Sequence, residues 1–485
     1  MKKPLVLFLI GGSGARFLRS LLFQLAAGLQ LADTGDIRLV LIDTDEANGN
    51  YESALRLLRQ YQRIRTRIEE NSEAFRGKDK SALFHHPVYL HDEKHVFLSP
   101  LDVQKRSLGN IIDYINLTAE QKDFVNLMLT RDELGEDLSI GFQGRPNMGT
   151  IGLEAIEGVI QESTKLRNLL GESPDLEAEG LQEARFFTVS SMFGGMGSSG
   201  MPMIVNKFKK KAYNNIPIGA LGYMHYFKIN EGKGNNDSKY FPQRTNLAYD
   251  HYKTDFSDKI NLLYTIGKPF EGEAGVSYAP GKKEQKNQAH LVEFFSVTAL
   301  QHFCKHAPTS PSPRDLKAHA LHLKGDMQAT SAGEEYAAQF ENYIRLVLIA
   351  KYFTERFLKQ YNTEEMKNIH WVRYANFDQF QTDEKELLQS FFTELLAYDS
   401  EELYNYSGLR LVDSRKFPTT ISAVVPHKSY REHKTGIFSK RRYDNYKEID
   451  VDAITDKDVA SKNHIPRLLA TLDKSFTSLY NNIYK

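Results

Sequence analysis

Apolar positions in the first half of the chain switch between two periods. Residues 4–10 form an unbroken run of branched and aromatic side chains closed by Gly11 and Gly12, the pattern of a strand buried on both faces of a parallel sheet. Residues 15–29 then place Phe17, Leu18, Leu21, Leu22, Leu25 and Ala26 at helical spacing. A second strand is predicted over 37–42, ending at Asp43, Thr44 and Asp45. Residues 50–80 read as a charged helix with Leu55, Leu57, Leu58 and Ile64 on its apolar stripe, and further helices are predicted over 119–129 and 151–170. A strand over 185–189 leads into a glycine-rich loop over 193–200 and a helix to about residue 211; strands over 216–226 and 259–266 come next. This alternation predicts an α/β domain with a doubly wound, Rossmann-like parallel sheet over residues 1–280.

The texture then changes. Residues 285–306 read as an amphipathic connecting helix, with Leu291, Phe294, Phe295, Val297, Leu300 and Phe303 on one side. The Pro- and Ser-rich run 307–315 breaks it. Beyond it come a long helix over 334–360, short strand-like runs at 409–412 and 419–425, and a last helix over 466–484, which together predict a C-terminal α+β domain over 307–485.

Composition narrows the function classes. Lys plus Arg equals Asp plus Glu at 62 each, a balance that argues against a protein built to wrap nucleic acid. The lone Cys304 excludes an intramolecular disulfide framework and any cysteine-cluster metal site, so a cytoplasmic protein is expected. The lysines and short apolar run at the start resemble a signal peptide only superficially, since the run is about seven residues long and reads better as the buried first strand. Arg16 and Arg19 interrupt the next stretch, and no apolar run is long enough to span a bilayer, so no membrane span is expected.

Four segments carry candidate chemistry. Gly11, Gly12, Ser13 and Gly14 lie between a buried strand and a helix, where glycine lets backbone approach a phosphate and the helix end offers unpaired N–H groups. Residues 193–200 hold four glycines and two serine hydroxyls, more than a turn requires, so Gly194, Gly195, Met196, Gly197, Ser198 and Ser199 form a second candidate cradle. Asp43, Thr44 and Asp45 end the second strand, where a carboxylate suits Mg2+ held through water, a ribose, or a helix cap. Gly144, Arg145, Asn147 and Gly149 belong to a glycine-bounded loop leading into a helix and suited to a terminal phosphate.

In this order the four segments resemble the tubulin/FtsZ superfamily. Ile42-Asp43-Thr44-Asp45-Glu46-Ala47 is similar to its strand-end Asn-Thr-Asp segment, and Gly144-Arg145-Pro146-Asn147-Met148-Gly149 to its loop facing the γ-phosphate. Residues 193–200 resemble its Gly-Gly-Gly-Thr-Gly-Ser/Thr-Gly signature, with Met196 at the usual Thr. Lys286-Asn287-Gln288 resembles the Asn that pairs with guanine where the family's central helix begins. The resemblance spans roughly residues 4–306 and points to a divergent bacterial tubulin-like protein. It implies GTP or GDP with Mg2+ at Asp45, a homo-oligomer or filament with nucleotide at the subunit junction, and protein partners.

Hydrolysis in that family uses acidic residues in the loop after the central helix. Here that loop holds a single carboxylate, Asp315 beside Arg314, so Asp315 is the one catalytic candidate and hydrolysis is expected to be weak or absent. Two rival readings stand beside this one. One is a non-hydrolysing nucleotide sensor or scaffold. The other is a Rossmann-type NAD(P)-dependent oxidoreductase, against which Asp43 lies about 30 residues beyond the first glycine loop rather than the usual 20 or so. His85, His86, His91 and His95 read as a solvated hairpin rather than a metal site, and His302 and His306 as a helix face.

Overall fold

The structure is a computed structural model that describes residues 2–69, 81–99, 106–142, 144–154, 156–227, 229, 240–267, 282–311, 314, 316–322, 333–358, 382–400, 465–466, 468–470, 472–474 and 476–477. The first unit is built on an eight-stranded sheet. Strands β1 (Lys3–Ile10), β2 (Thr34–Ile42), β3 (Val88–Leu90), β5 (Arg185–Ser191), β6 (Ile218–Tyr223), β7 (Leu262–Gly267) and β8 (Lys317–His322) lie in the order β3-β2-β1-β5-β6-β7-β8, and β4 (Phe97–Leu98) pairs with β2. Every pairing is parallel. The Rossmann-like α/β class expected from the alternation of periods is therefore observed.

The order reverses around β1. The chain runs outward through β2 and β3, then returns to place β5 on the other side of β1, which makes the β1–β5 boundary the topological switch point. Successive residues of β1 point to opposite faces, and Leu5 through Ile10 are all buried, so both faces are covered. Val6, Phe8 and Ile10 join one cluster with Phe186 and Phe208, and the Phe8 ring meets each of those phenylalanines edge-on at 5.4 Å.

Helices α1 (Gly11–Ala26) and α2 (Gly49–Glu69) come after β1 and β2. After α3 (Ala119–Met128), the helix expected over 151–170 is three shorter ones: α4 (Pro146–Leu153), α5 (Ile156–Glu162) and α6 (Thr164–Leu170). Ser163 causes the last break, its hydroxyl accepting from the Leu166 N–H at 3.0 Å and starting a new helix. The expected glycine loop over 193–200 is mostly the first turns of α7 (Gly195–Lys207), and α8 (Phe241–Asp255) lies between β6 and β7.

Helix α9 (Leu291–His306) begins later than the apolar pattern suggests. His290 caps it: its Nδ1 accepts from Val292 N–H, and the Glu293 carboxylate accepts from His290 N–H, each at 3.1 Å. Beyond α9 the chain does not leave the sheet. β8 pairs with β7, and the first unit runs to Lys324, past the boundary expected at residue 280. The Pro-rich run after α9 thus ends a crossover helix rather than a domain.

The second unit comprises Leu22–Gln30, Leu57–His85 and Gly325–Lys485. Its described elements include α10 (Gly333–Tyr352), a π turn over Phe353–Phe357, and α11 (Thr382–Ser400). Phe23, Phe84 and Phe391 form an aromatic core there, with Phe391 centroids 5.7 and 5.1 Å from those of Phe23 and Phe84. The strands expected at 409–412 and 419–425 lie outside the described residues. Among the described residues, no helix is long and apolar enough to cross a membrane.

One buried ion pair ties α1 to α9. Arg16 Nε lies 3.0 Å from Glu293 Oε1, and the Tyr226 hydroxyl donates to the same carboxylate oxygen at 2.8 Å and bonds the Arg16 guanidinium. Removing one partner leaves the other charge buried and uncompensated. Glu293→Ala is expected to cost about 3–5 kcal/mol in urea unfolding, while the double variant Arg16→Met/Glu293→Leu recovers most of it. A midpoint unchanged in Glu293→Ala would show that the pair does not bear on stability.

Candidate functional site

Parallel pairing puts the residues just beyond β1, β2 and β5 on one edge of the sheet, and the candidate segments gather there. Gly11 opens α1 with φ +67, a conformation side chains rarely adopt, and a Cβ on it would stand 3.1 Å from Met196 Cγ and 3.7 Å from Gly197 N. The starts of α1 and α7 are therefore neighbours. Neither helix carries an acidic residue in its first turn, and Gly194 gives α7 no side-chain cap. The Ser198 and Ser199 hydroxyls donate to the Gly194 and Gly195 carbonyls at 2.5 Å each, so they do not cap the helix either. Two positive helix ends meet at the switch point with their dipoles uncompensated.

The glycines of this region do two different jobs. A Cβ on Gly197 would lie 2.5 Å from Ser191 O, and one on Gly195 would lie 2.9 Å from Arg145 N, so these glycines let α7 lie against β5 and the 144–149 loop. Gly149 likewise makes room for Ser199. Gly12 differs, since its neighbours are carboxamides: Asn50 Nδ2 at 3.3 Å and Asn48 Nδ2 at 3.9 Å from an added Cβ.

At the end of β2, Asp43, Thr44 and Asp45 are all buried. Asp43 Oδ1 accepts from the Asp45 N–H at 3.0 Å, and burial pushes the Asp43 carboxyl up to about 7. Asp45 is also raised by burial, although both its oxygens accept backbone N–H groups, one from Ala47 at 3.2 Å and one from Lys282. Thr44 Oγ1 is buried with no hydrogen-bond partner. This donor set fits an ion held through water better than one stripped of its shell, because the carboxylates already serve backbone N–H groups.

Segment 282–290 lies across the β2–α2 turn. Asn48 Nδ2 donates to Gln285 Oε1 at 2.6 Å, and Asn50 Nδ2 donates to Asn287 Oδ1 at 3.1 Å. Asn48, Asn50 and Gln285 do not stand out in the sequence. The available signal is the Asn-Gly-Asn spacing at 48–50, in which the middle residue must be small because a Cβ on Gly49 would lie 2.5 Å from Lys283 O.

Two expected side chains are directed elsewhere. The Arg145 guanidinium pairs with Glu136 at 3.1 Å, and the Asn147 amide donates to Met128 O at 3.0 Å and to Glu133 at 3.3 Å. Of residues 144–149, the structure brings backbone and glycines to α7, not these two side chains. Asp315 lies outside the described residues. Its neighbour Arg314 donates to the carbonyls of Phe208 at 2.9 Å and Lys259 at 2.6 Å, which fastens the chain beneath α7.

The histidines expected to be solvated are not all so. His86 and His91 are buried, and His86 Nε2 accepts from Leu31 N–H at 3.1 Å. His91, Asp92 and His95 line a cavity of about 640 Å3 with Arg38, Ser163 and Lys165 at the β3 side of the sheet. Among the described residues, no three His, Cys, Asp or Glu side chains are grouped to hold a metal ion.

The Asp43 shift has a measurable sign. Its folded value of about 7 lies above the ordinary 3.8, so the folded state binds the extra proton between these limits. Stability therefore falls as pH rises from about 4 to 7 and then levels off. Asp43→Asn keeps the acceptor and removes the ionisation. Its melting temperature relative to the unsubstituted protein is expected to rise between pH 4.5 and pH 8, by the equivalent of roughly 2–4 kcal/mol. A difference that does not vary with pH would show that Asp43 titrates normally.

Compared with known proteins, the chain matches no protein-family model and no curated protein.

Proposed function

We propose that this chain is a tubulin-like guanine-nucleotide-binding protein that self-associates with the nucleotide at the subunit junction and hydrolyses it slowly or not at all. The observation that carries the reading is the meeting of two uncompensated helix N-termini, α1 and α7, at the switch point of a parallel sheet. Gly11, Gly12, Ser13 and Gly14 would hold the α- and β-phosphates together with the first turn of α7, from Gly194 to Ser199. Asp45 would hold Mg2+ through water, the backbone of residues 144–149 would face the γ-phosphate, and Asn287 would meet the base. Bound Mg2+ would supply charge neutralisation of the phosphates. An NAD(P) reading is less well supported, because Asp43, the candidate ribose acceptor, is buried and spends Oδ1 on the Asp45 N–H.

Self-association is supported by α3. Phe124, Leu127 and Met128 share one face of it and are 62%, 84% and 41% exposed, an apolar patch of the kind that marks contact sites. Asn147 ties the Met128 carbonyl to the loop assigned to the γ-phosphate, which gives the patch a physical link to the nucleotide. Slow hydrolysis is inferred from the sequence, in which Asp315 is the one carboxylate between α9 and β8.

Calorimetry with GTP, GDP and ATP tests binding, with guanine nucleotides expected about 100-fold tighter. Gly12→Val should abolish binding with the far-ultraviolet circular dichroism unchanged, whereas Gly197→Val would strike the Ser191 backbone and is expected to unfold the chain. Light scattering and phosphate release over a range of protein concentrations read assembly and turnover. Nucleotide-dependent scattering without appreciable release is expected. Equal affinity for ATP and GTP removes the guanine assignment, and binding without scattering leaves a nucleotide sensor.

A further inference from the structure

Asn48 and Asn50 beside Gly12, and their partners Gln285 and Asn287, have amide orientations that backbone groups dictate. A backbone N–H can only donate. Asn287 N–H points at Asn50 Oδ1 at 2.9 Å, so the other end of the Asn50 amide is Nδ2, and the Asn287 atom 3.1 Å from it must be Oδ1. In the same way Asn50 N–H points at Asn48 Oδ1 at 2.9 Å, which leaves Asn48 Nδ2 to donate to Gln285 Oε1 at 2.6 Å. Each relay ends on an NH2 group turned away from its partner. Among the described residues, Gln285 Nε2 and Asn287 Nδ2 have no hydrogen-bond partner, and both side chains are half-buried.

We propose that Asn50, through this relay, is the positioning residue that sets base specificity, by locking Asn287 so that it offers a donor and never an acceptor. The inference rests on the guanine-nucleotide reading of the site. A donor-only edge is satisfied by the 6-oxo group of guanine or hypoxanthine. Against adenine it meets the 6-amino group, donor against donor, and leaves a polar group unpaired. Asn48 imposes the same polarity on Gln285. Four amides that could each face either way thereby act as one fixed donor face.

The test is to change the polarity without removing the side chains. Asn50→Asp still accepts from the Asn287 N–H, but its second oxygen now requires a donor, so Asn287 must turn over and present Oδ1 outward. Asn287→Asp reaches the same end independently, since one oxygen accepts from Asn50 Nδ2 and the other faces out. The probes are inosine diphosphate and ADP, which differ only at the purine 6-position and the adjacent ring nitrogen. Because added negative charge weakens both nucleotides alike, the readout is the ratio of their dissociation constants, with circular dichroism as the check on folding.

The unsubstituted protein is expected to favour inosine diphosphate, and both variants to shift the ratio toward ADP by about tenfold or more. If the unsubstituted protein shows the preference and the folded variants keep it unchanged, the relay is overturned while the guanine reading stands. If the unsubstituted protein binds neither nucleotide, or binds both equally, the guanine reading falls and takes the relay with it.

Discussion

The buried pairing of Arg16 with Glu293 holds together the two parts of the chain from which the site is made. Arg16 stands on the second turn of α1, whose first turn carries the glycines. Glu293 stands on the first turn of α9, directly after the segment that reaches over Asn48 and Asn50. Glu293 also receives the Tyr226 hydroxyl and the His290 N–H, so the carboxylate is used in full: it neutralises a cation, closes a capping box and anchors a tyrosine. An ion pair so enclosed is a poor source of net stability, but either helix displaced from this placement would leave a charge buried without its partner.

Around that anchor, the site is a product of strand direction. A parallel sheet sends every strand's carboxyl end to one edge, and the reversal at β1 brings the starts of α1 and α7 together there. Small residues then decide how closely the helices approach. Glycines at 195 and 197 are consumed by contact with residues 144–145 and Ser191, and Gly11 by its backbone conformation beside Met196. Gly12 is left beside the amides of Asn48 and Asn50.

Much of this is legible in the chain itself, and the limits are physical. β1 and the second half of β2 can be read because strand segments buried on both faces are mostly apolar, and β5 through its Phe186-Phe187 pair and Val189, although Arg185, Thr188, Ser190 and Ser191 are buried with them. The start of α9 cannot, because residues 285–290 are polar and their conformation is decided by the His290–Glu293 cap rather than by periodicity. The count of glycines in 193–200 suggests room for a phosphate, but a glycine required by packing and one required by a ligand look alike in one dimension. Asn48, Asn50 and Gln285 are invisible for a different reason. Their partnership joins positions distant in sequence, and no local pattern records it. His86 and His91 mislead in the opposite sense, as polar residues in a charged stretch that the fold buries.

The register that sets Leu5 against Arg185 has a consequence for how the molecule comes into being. β1 finds β2 close behind it in the chain, but its other neighbour is separated by the whole β2–β5 excursion, so loop-closure entropy opposes that pairing until much of the intervening chain has collapsed. The starts of α1 and α7 meet only once this contact has formed. A ligand seated across the two helix starts would bind the formed sheet and not the partly folded chain, drawing that pairing to completion by mass action. Within the sheet, the pairing most distant in sequence is thus the one that brings the starts of α1 and α7 together.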